Sequence, residues 1–128
     1  MLFRLILPLL LCLLALVSVP AFAEWVRVNE SSIATYYIDP ATMQKNDSLR
    51  RVWQIQDLKQ KDKDGELSRR ALVEYECRER QNKTLALSMH SAPMAGGKTL
   101  DSYSDPSSWR DIVPGSSGET ILGIVCAR

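Results

Sequence analysis

The chain has 128 residues, with 16 Lys and Arg against 15 Asp and Glu, and a formal net charge of +1. That balance excludes a strongly basic nucleic-acid binder held by its overall field. The absence of internal repeats and low-complexity tracts excludes a solenoid or a disordered tail.

The chain opens with an export signal. Arg4 supplies a positive start, Leu5 to Val17 form an apolar run, Pro20 breaks it, and Ala21-Phe22-Ala23 reads as a cleavage motif. The cut is expected between Ala23 and Glu24. The run is shorter than the roughly 20 apolar residues a membrane span needs, and it contains Pro8. Cys12 lies in the middle of this run and follows Leu11 instead of a small residue, so no lipid anchor is expected. Residues 1–23 are thus read as a cleaved secretory signal peptide. The product is periplasmic or secreted, with no transmembrane segment after cleavage.

Residues 24–128 then form one domain, since domains cluster at roughly 100–150 residues. Removing Arg4 leaves 15 basic against 15 acidic side chains, so the mature domain is formally neutral. Its two cysteines, Cys77 and Cys126, are expected to form a structural disulfide in an exporting compartment. A loop of that length gives about 4 kcal/mol in the chain-entropy model. A reactive thiol pair or half of a metal site are the alternatives, although zinc wants four ligands and His90 is the sole histidine.

Trp25 to Val28 and Ile33 to Ile38 read as strands, separated by turn chemistry at Asn29-Glu30-Ser31-Ser32. Asp39-Pro40 predicts a cap and a short helical turn through Met43. Asn46-Asp47 marks the next turn, and Leu49 to Lys59 a long strand. In Ser68 to Arg78, residues Ala71, Val73, Tyr75 and Cys77 alternate with Leu72, Glu74, Glu76 and Arg78, which places the first set toward a core. The polar segment Lys59 to Glu66, with its Asp-Gly pair, is expected at a hairpin tip. Thr84 to Ser91 forms a further strand with Leu85, Leu87 and Met89 on one face and His90 on the outward one. Ala95-Gly96-Gly97 is expected as a turn before a strand over Lys98 to Tyr103. Asp105-Pro106 is expected to start a turn carrying Trp109. Ser116 with Glu119 makes a capping box before Ile121, Leu122, Ile124 and Val125. A short C-terminal helix follows, with a strand as the alternative because Ile and Val favour one. The fold class is α+β: a single antiparallel meander sheet of about six strands, a short C-terminal helix and one disulfide.

Several motifs fail on inspection. Gly97-Lys98-Thr99 lacks the first P-loop glycine, because Ala92 stands there. Asp62-Lys63-Asp64-Gly65 as a calcium loop would put Gln60 and Ala71 at ligand positions. G-x-S-x-G is absent, and nothing positions a triad through His90. No catalysis, cofactor or metal is expected. Asn29, Asn46 and Asn82 sit in glycosylation sequons that matter only in a glycosylating pathway. Lys59, Lys61 and Lys63, with Arg69 and Arg70 across the hairpin, form a basic cluster interleaved with Asp57, Asp62, Asp64 and Glu66. It is a solvated loop or a contact for an acidic ligand. Trp109, between Pro106 and Pro114, is a candidate partner contact if exposed.

The ordered set Glu24-Trp25-Val26, Tyr37 to Thr42, Tyr75 to Arg80, Ser104 to Trp109 and Pro114 to Cys126 resembles the bacterial surface-adhesin protein E-like domain. The resemblance spans essentially the whole mature chain. It implies about six antiparallel strands, a C-terminal helix and a Cys77–Cys126 bridge. The name-giving member is an outer-membrane lipoprotein that binds host matrix proteins, which implies a protein ligand and cell-surface association. The expected function is an exported non-catalytic binding module that contacts extracellular or envelope proteins. The alternatives are an envelope-maintenance protein, including a homodimer through sheet pairing, and a small hydrolase using His90.

Overall fold

The computed structural model describes residues 23–128, so the expected signal features at Arg4, Leu5 to Val17, Cys12 and Pro20 lie outside the described residues. The strands are β1 (Val26–Glu30), β2 (Ala34–Ile38), β3 (Gln44–Asn46), β4 (Leu49–Leu58), β5 (Ser68–Glu76), β6 (Gln81–Ala92), β7 (Gly96–Tyr103) and β8 (Arg110–Asp111), followed by helix α1 (Ser117–Cys126). They form one antiparallel sheet in the order β1-β2-β4-β5-β6-β7, with β3 added against β4 and β8 against β6. The expected six-stranded meander is therefore the main path. The two added strands are three and two residues long.

Alternation along β5 builds the core. Ala71, Val73 and Tyr75 are buried, and register partners share a face, so Val52 joins Val73 and Ile38 joins through Gln54 and Ala71. Helix α1 sets Ile121, Leu122 and Val125 on this face. Each buried aliphatic side chain contributes about 1.5–3 kcal/mol. That docking is what sustains the helix, because a helix of ten residues is marginal alone. The Ser116 hydroxyl caps it by accepting from the Glu119 N–H at 3.3 Å. Tyr75 is buried to 1%, and its hydroxyl donates to Gln54 Oε1 at 2.6 Å, which satisfies the one polar atom it brings inside.

Cys77 and Cys126 are bonded to each other, with Cα atoms 5.9 Å apart and a sequence separation of 49. The bond ties the last helical residue to the end of β5 and removes the thiol-pair and metal-half alternatives. Asp39-Pro40 gives the expected short turn, a 3-10 helix over Pro40–Thr42 whose Ala41 N–H donates to Asp39 Oδ1 at 3.2 Å.

Two local expectations are corrected. The β6–β7 turn falls on Pro93 to Ala95, and Gly96 and Gly97 already belong to β7. Met94 (φ 57°) and Ala95 (φ 58°) hold left-handed backbone that glycine or asparagine would adopt more easily. Side chains of neighbouring strands hold them there: the Met94 N–H donates to Asp57 Oδ1 at 2.7 Å and the Ala95 N–H to Ser68 Oγ at 2.9 Å. Asp105-Pro106 starts no hydrogen-bonded turn; Asp105 makes only a bend. That segment runs irregularly beside β6, and the Ser107 N–H donates to the Thr84 carbonyl at 2.9 Å.

Replacing Cys77 and Cys126 by serine is expected to lower stability by about 2–5 kcal/mol, seen as a lower urea midpoint. Ala95→Gly is expected to raise stability by about 1 kcal/mol, seen as a higher midpoint, because it removes the Cβ penalty of the left-handed position. A lowered midpoint would show that Ala95 makes contacts worth more than the strain.

Candidate partner-binding site

At the end of the sheet where β5 begins, two turns meet. In the β1–β2 turn, Ser31 Oγ accepts from the Ile33 and Ala34 N–H groups at 3.3 and 3.2 Å. The Ile33 carbonyl accepts from the Lys59 N–H at 2.9 Å, which fixes this turn to the start of the β4–β5 connection. Ile33 is thereby held in place yet 64% exposed. A single exposed apolar side chain is ordinary on a protein surface; what makes Ile33 a candidate contact is that its backbone is fixed at the mouth of a cleft.

The β4–β5 connection is also ordered by its own polar groups. Asp62 Oδ1 accepts from the Asp64 and Glu66 N–H groups, both at 2.9 Å. These bonds, the Glu66 N–H foremost, hold the Asp62 carboxyl below its ordinary pKa. Gly65 takes φ 82°, and its N–H donates to the Asp62 carbonyl at 3.1 Å, closing the turn where a side chain would be strained. Glu66 is 2% exposed and grips Arg69 through both oxygens. That carboxylate raises the Arg69 pKa further.

Between the two turns lies a cleft of about 680 Å³, walled by Ile33, Leu58, Lys59, Lys61 and Arg69. Lys59 pairs with Glu30 at 2.8 Å and Arg69 with Glu66, while Lys61 has no carboxylate partner among the described residues. The result is an apolar anchor with a charged rim, where Lys61 forms no ion pair among the described residues and the Asp62 carboxylate lies beside it.

The expected contacts do not converge. Lys59 and Lys61 line this cleft, and Lys63 is exposed beyond it on the hairpin tip. Trp109 lies at the opposite end of the sheet: Arg110 pairs with Asn82, whose β5 partner is Tyr75, seven residues from Ser68. At about 3.3 Å per residue this is roughly 23 Å away. Trp109 is 37% exposed and carries Lys83 Nζ 4.5 Å from its ring centroid, so one face of the ring is already occupied by a cation. Arg69 and Arg70, adjacent in sequence, serve opposite faces of the sheet and line different clefts. The basic cluster is thus divided.

His90 is corrected as well. It lies on the face opposite α1, as alternation implies, yet is only 7% exposed. Its register partner Ser68 is fully buried and is bonded to the β6–β7 turn, which closes that row of the sheet. His90 Nε2 lies 2.8 Å from Ser88 Oγ, but Nδ1 is buried with no partner. A Ser–His pair whose second ring nitrogen meets no carboxylate lacks the orienting member of a hydrolytic triad.

The family model for surface-adhesin protein E matches residues 25–127. The chain belongs to the surface-adhesin protein E family. Its fold is similar to that of Haemophilus influenzae protein E. Against crystal form II the TM-score is 0.64 at 13% identity, covering 84% of this chain and 90% of that one. Against the selenomethionine form it is 0.63 at 12% identity, covering 84% and 88%. Against protein E from the non-typeable organism it is 0.59 at 12% identity, covering 84% and 78%. No curated protein matches the sequence. Among the described residues, no helix is long and apolar enough to cross a membrane.

Sequence reasoning missed Ile33 as a surface residue of this family member, because a strand-favouring side chain after a turn reads as the start of a strand. The available signal was its position directly after Ser31-Ser32, before the buried Ala34.

His90 also provides a pH readout. Burial, and then the positive charge of Arg70, lower its pKa from the ordinary 6.5. Its contribution to stability is therefore complete above pH 6.5 and declines as pH falls through the lowered value, because the unfolded chain takes the proton first. An NMR titration of this single histidine is expected to give a midpoint below 6.5; one at or above it would contradict the burial.

Proposed function

We infer that the protein is an exported, non-catalytic binding module that contacts an extracellular or envelope protein through the cleft beside Ile33. The observation that carries this reading is the clamped, exposed Ile33 and the unpaired Lys61 in one cleft of about 680 Å³. An apolar anchor with a charged rim is the arrangement of a small protein contact. The partner that fits offers a hydrophobic side chain flanked by an acidic one.

Membership of a surface-adhesin family supports a ligand outside the cytoplasm, and host matrix proteins are the class this reading proposes. Export rests on the signal read in residues 1–23, and the disulfide supports an oxidising destination. The incomplete Ser88–His90 pair supports a binding role over hydrolysis.

Photo-crosslinking side chains placed at Ile33 and Lys61 of the exported protein are expected to capture the same protein partner, while one at Lys45, exposed on β3, captures none. Adducts no more frequent at 33 and 61 than at 45 would sink this reading. N-terminal sequencing of the exported form is expected to begin at Glu24.

A further inference from the structure

The face opposite α1 carries a second cleft, of about 350 Å³, whose lining includes Trp53, Arg70, Ser88, His90, Thr99 and Ser102. Arg70 is the unusual member. Three arginines among the described residues are half-buried: Arg50, Arg69 and Arg70. Arg50 donates to the backbone carbonyls of Asp47 and Leu49 at 2.8 and 2.9 Å, and Arg69 is held by Glu66. Arg70 has no carboxylate and no hydrogen-bond acceptor among the described residues, and residues 1–22 contain no Asp or Glu to supply one. Asp57, one row along the same face, is engaged by the Met94 N–H.

The guanidinium of Arg70 is nevertheless fixed. It stacks on the Trp53 ring at 4.0 Å, which holds its plane and leaves the N–H fork at its edge unused. Around it the register brings hydroxyls together: Arg70 is opposite Ser88, and Ser88 is opposite Ser102. His90 is more than nine-tenths buried in the same cleft and has an unpartnered ring nitrogen. Partly desolvating a guanidinium with no acceptor is costly unless an acceptor arrives from outside.

We propose that this cleft binds a carboxylate, with Arg70 as its bidentate partner and Ser88, Thr99 and Ser102 as hydroxyl contacts. The volume is near the lower end of small-molecule sites and suits one sugar- or residue-sized group. Two sources share that chemistry, a sugar acid and a peptide-type carboxylate. The site is separate from the Ile33 cleft and stands or falls independently of it.

Titration with glucuronate and with N-acetylglycine, against glucose and N-acetylglycinamide as uncharged counterparts, tests the proposal. The readouts are the NMR signals of the His90 ring and the Trp53 indole. At least one carboxylate is expected to give saturable shifts with Kd below about 10 mM, and neither neutral counterpart should respond. Which carboxylate binds identifies the source. Arg70→Gln is expected to weaken binding at least ~10-fold, and Arg70→Lys, which keeps the charge but loses the fork, to weaken it less. If the glutamine variant fails to fold, the lysine variant and the wild-type titration still decide. No saturation by either carboxylate, an equal response to the neutral molecules, or undiminished binding in the folded variants would overturn the proposal.

Discussion

The structure depends on how one short helix is held against one wide sheet. Alone, the ten residues of α1 would be a marginal helix, and one edge of its sequence favours strand. Docking Ile121, Leu122 and Val125 on Ile38, Val52, Val73 and Tyr75 reverses that balance. The Cys77–Cys126 bond keeps the docked partner at high local concentration by joining the last turn of α1 to the end of β5. With a small core, the domain gains from a constraint that acts on the unfolded chain.

One helix cannot cover a six-strand sheet, and what it leaves bare explains the rest of the molecule. Beyond α1 the same face carries polar side chains, with Gln56 in register with Arg69. The opposite face buries Ile55 between Tyr37 and Arg70 in register and surrounds it with Trp53, Ser88 and His90. At the end of the sheet, side chain to backbone bonds from Ser31, Asp62, Asp57 and Ser68 order three turns without an apolar core. Polar turn chemistry thus gives the rigid platforms that the fold's small core does not supply, and Ile33 is displayed on one of them.

Much of this was legible in the sequence. The 71-73-75 alternation, the hairpin tip at 59–66, the Ser116 cap and the cysteine pair are local or compositional signals, and each reports a local cause. The failures share a different origin. Strands β3 and β8 are too short and too polar to show periodicity, and exist because β4 and β6 offer them open edges. The β6–β7 turn falls on Met94 and Ala95 against local preference because Asp57 and Ser68, far away in sequence, accept their amides. Trp109 is capped by Lys83, and His90 sits in a row closed by the same distant turn. In the candidate site, Lys59 and Lys61 were legible as a charged loop. Their pairing states were not, because Lys59 meets Glu30, distant in sequence, and Glu66 is taken by Arg69.

Native-state hydrogen exchange on the oxidised and reduced protein tests the central claim, that the bridge holds α1 to the sheet. On reduction, the amides of residues 120–126 should lose at least ~10-fold more protection than those of β4, β5 and β6, whose loss reports only the lower global stability. Unchanged protection in α1, or an equal loss in α1 and the sheet, would contradict it.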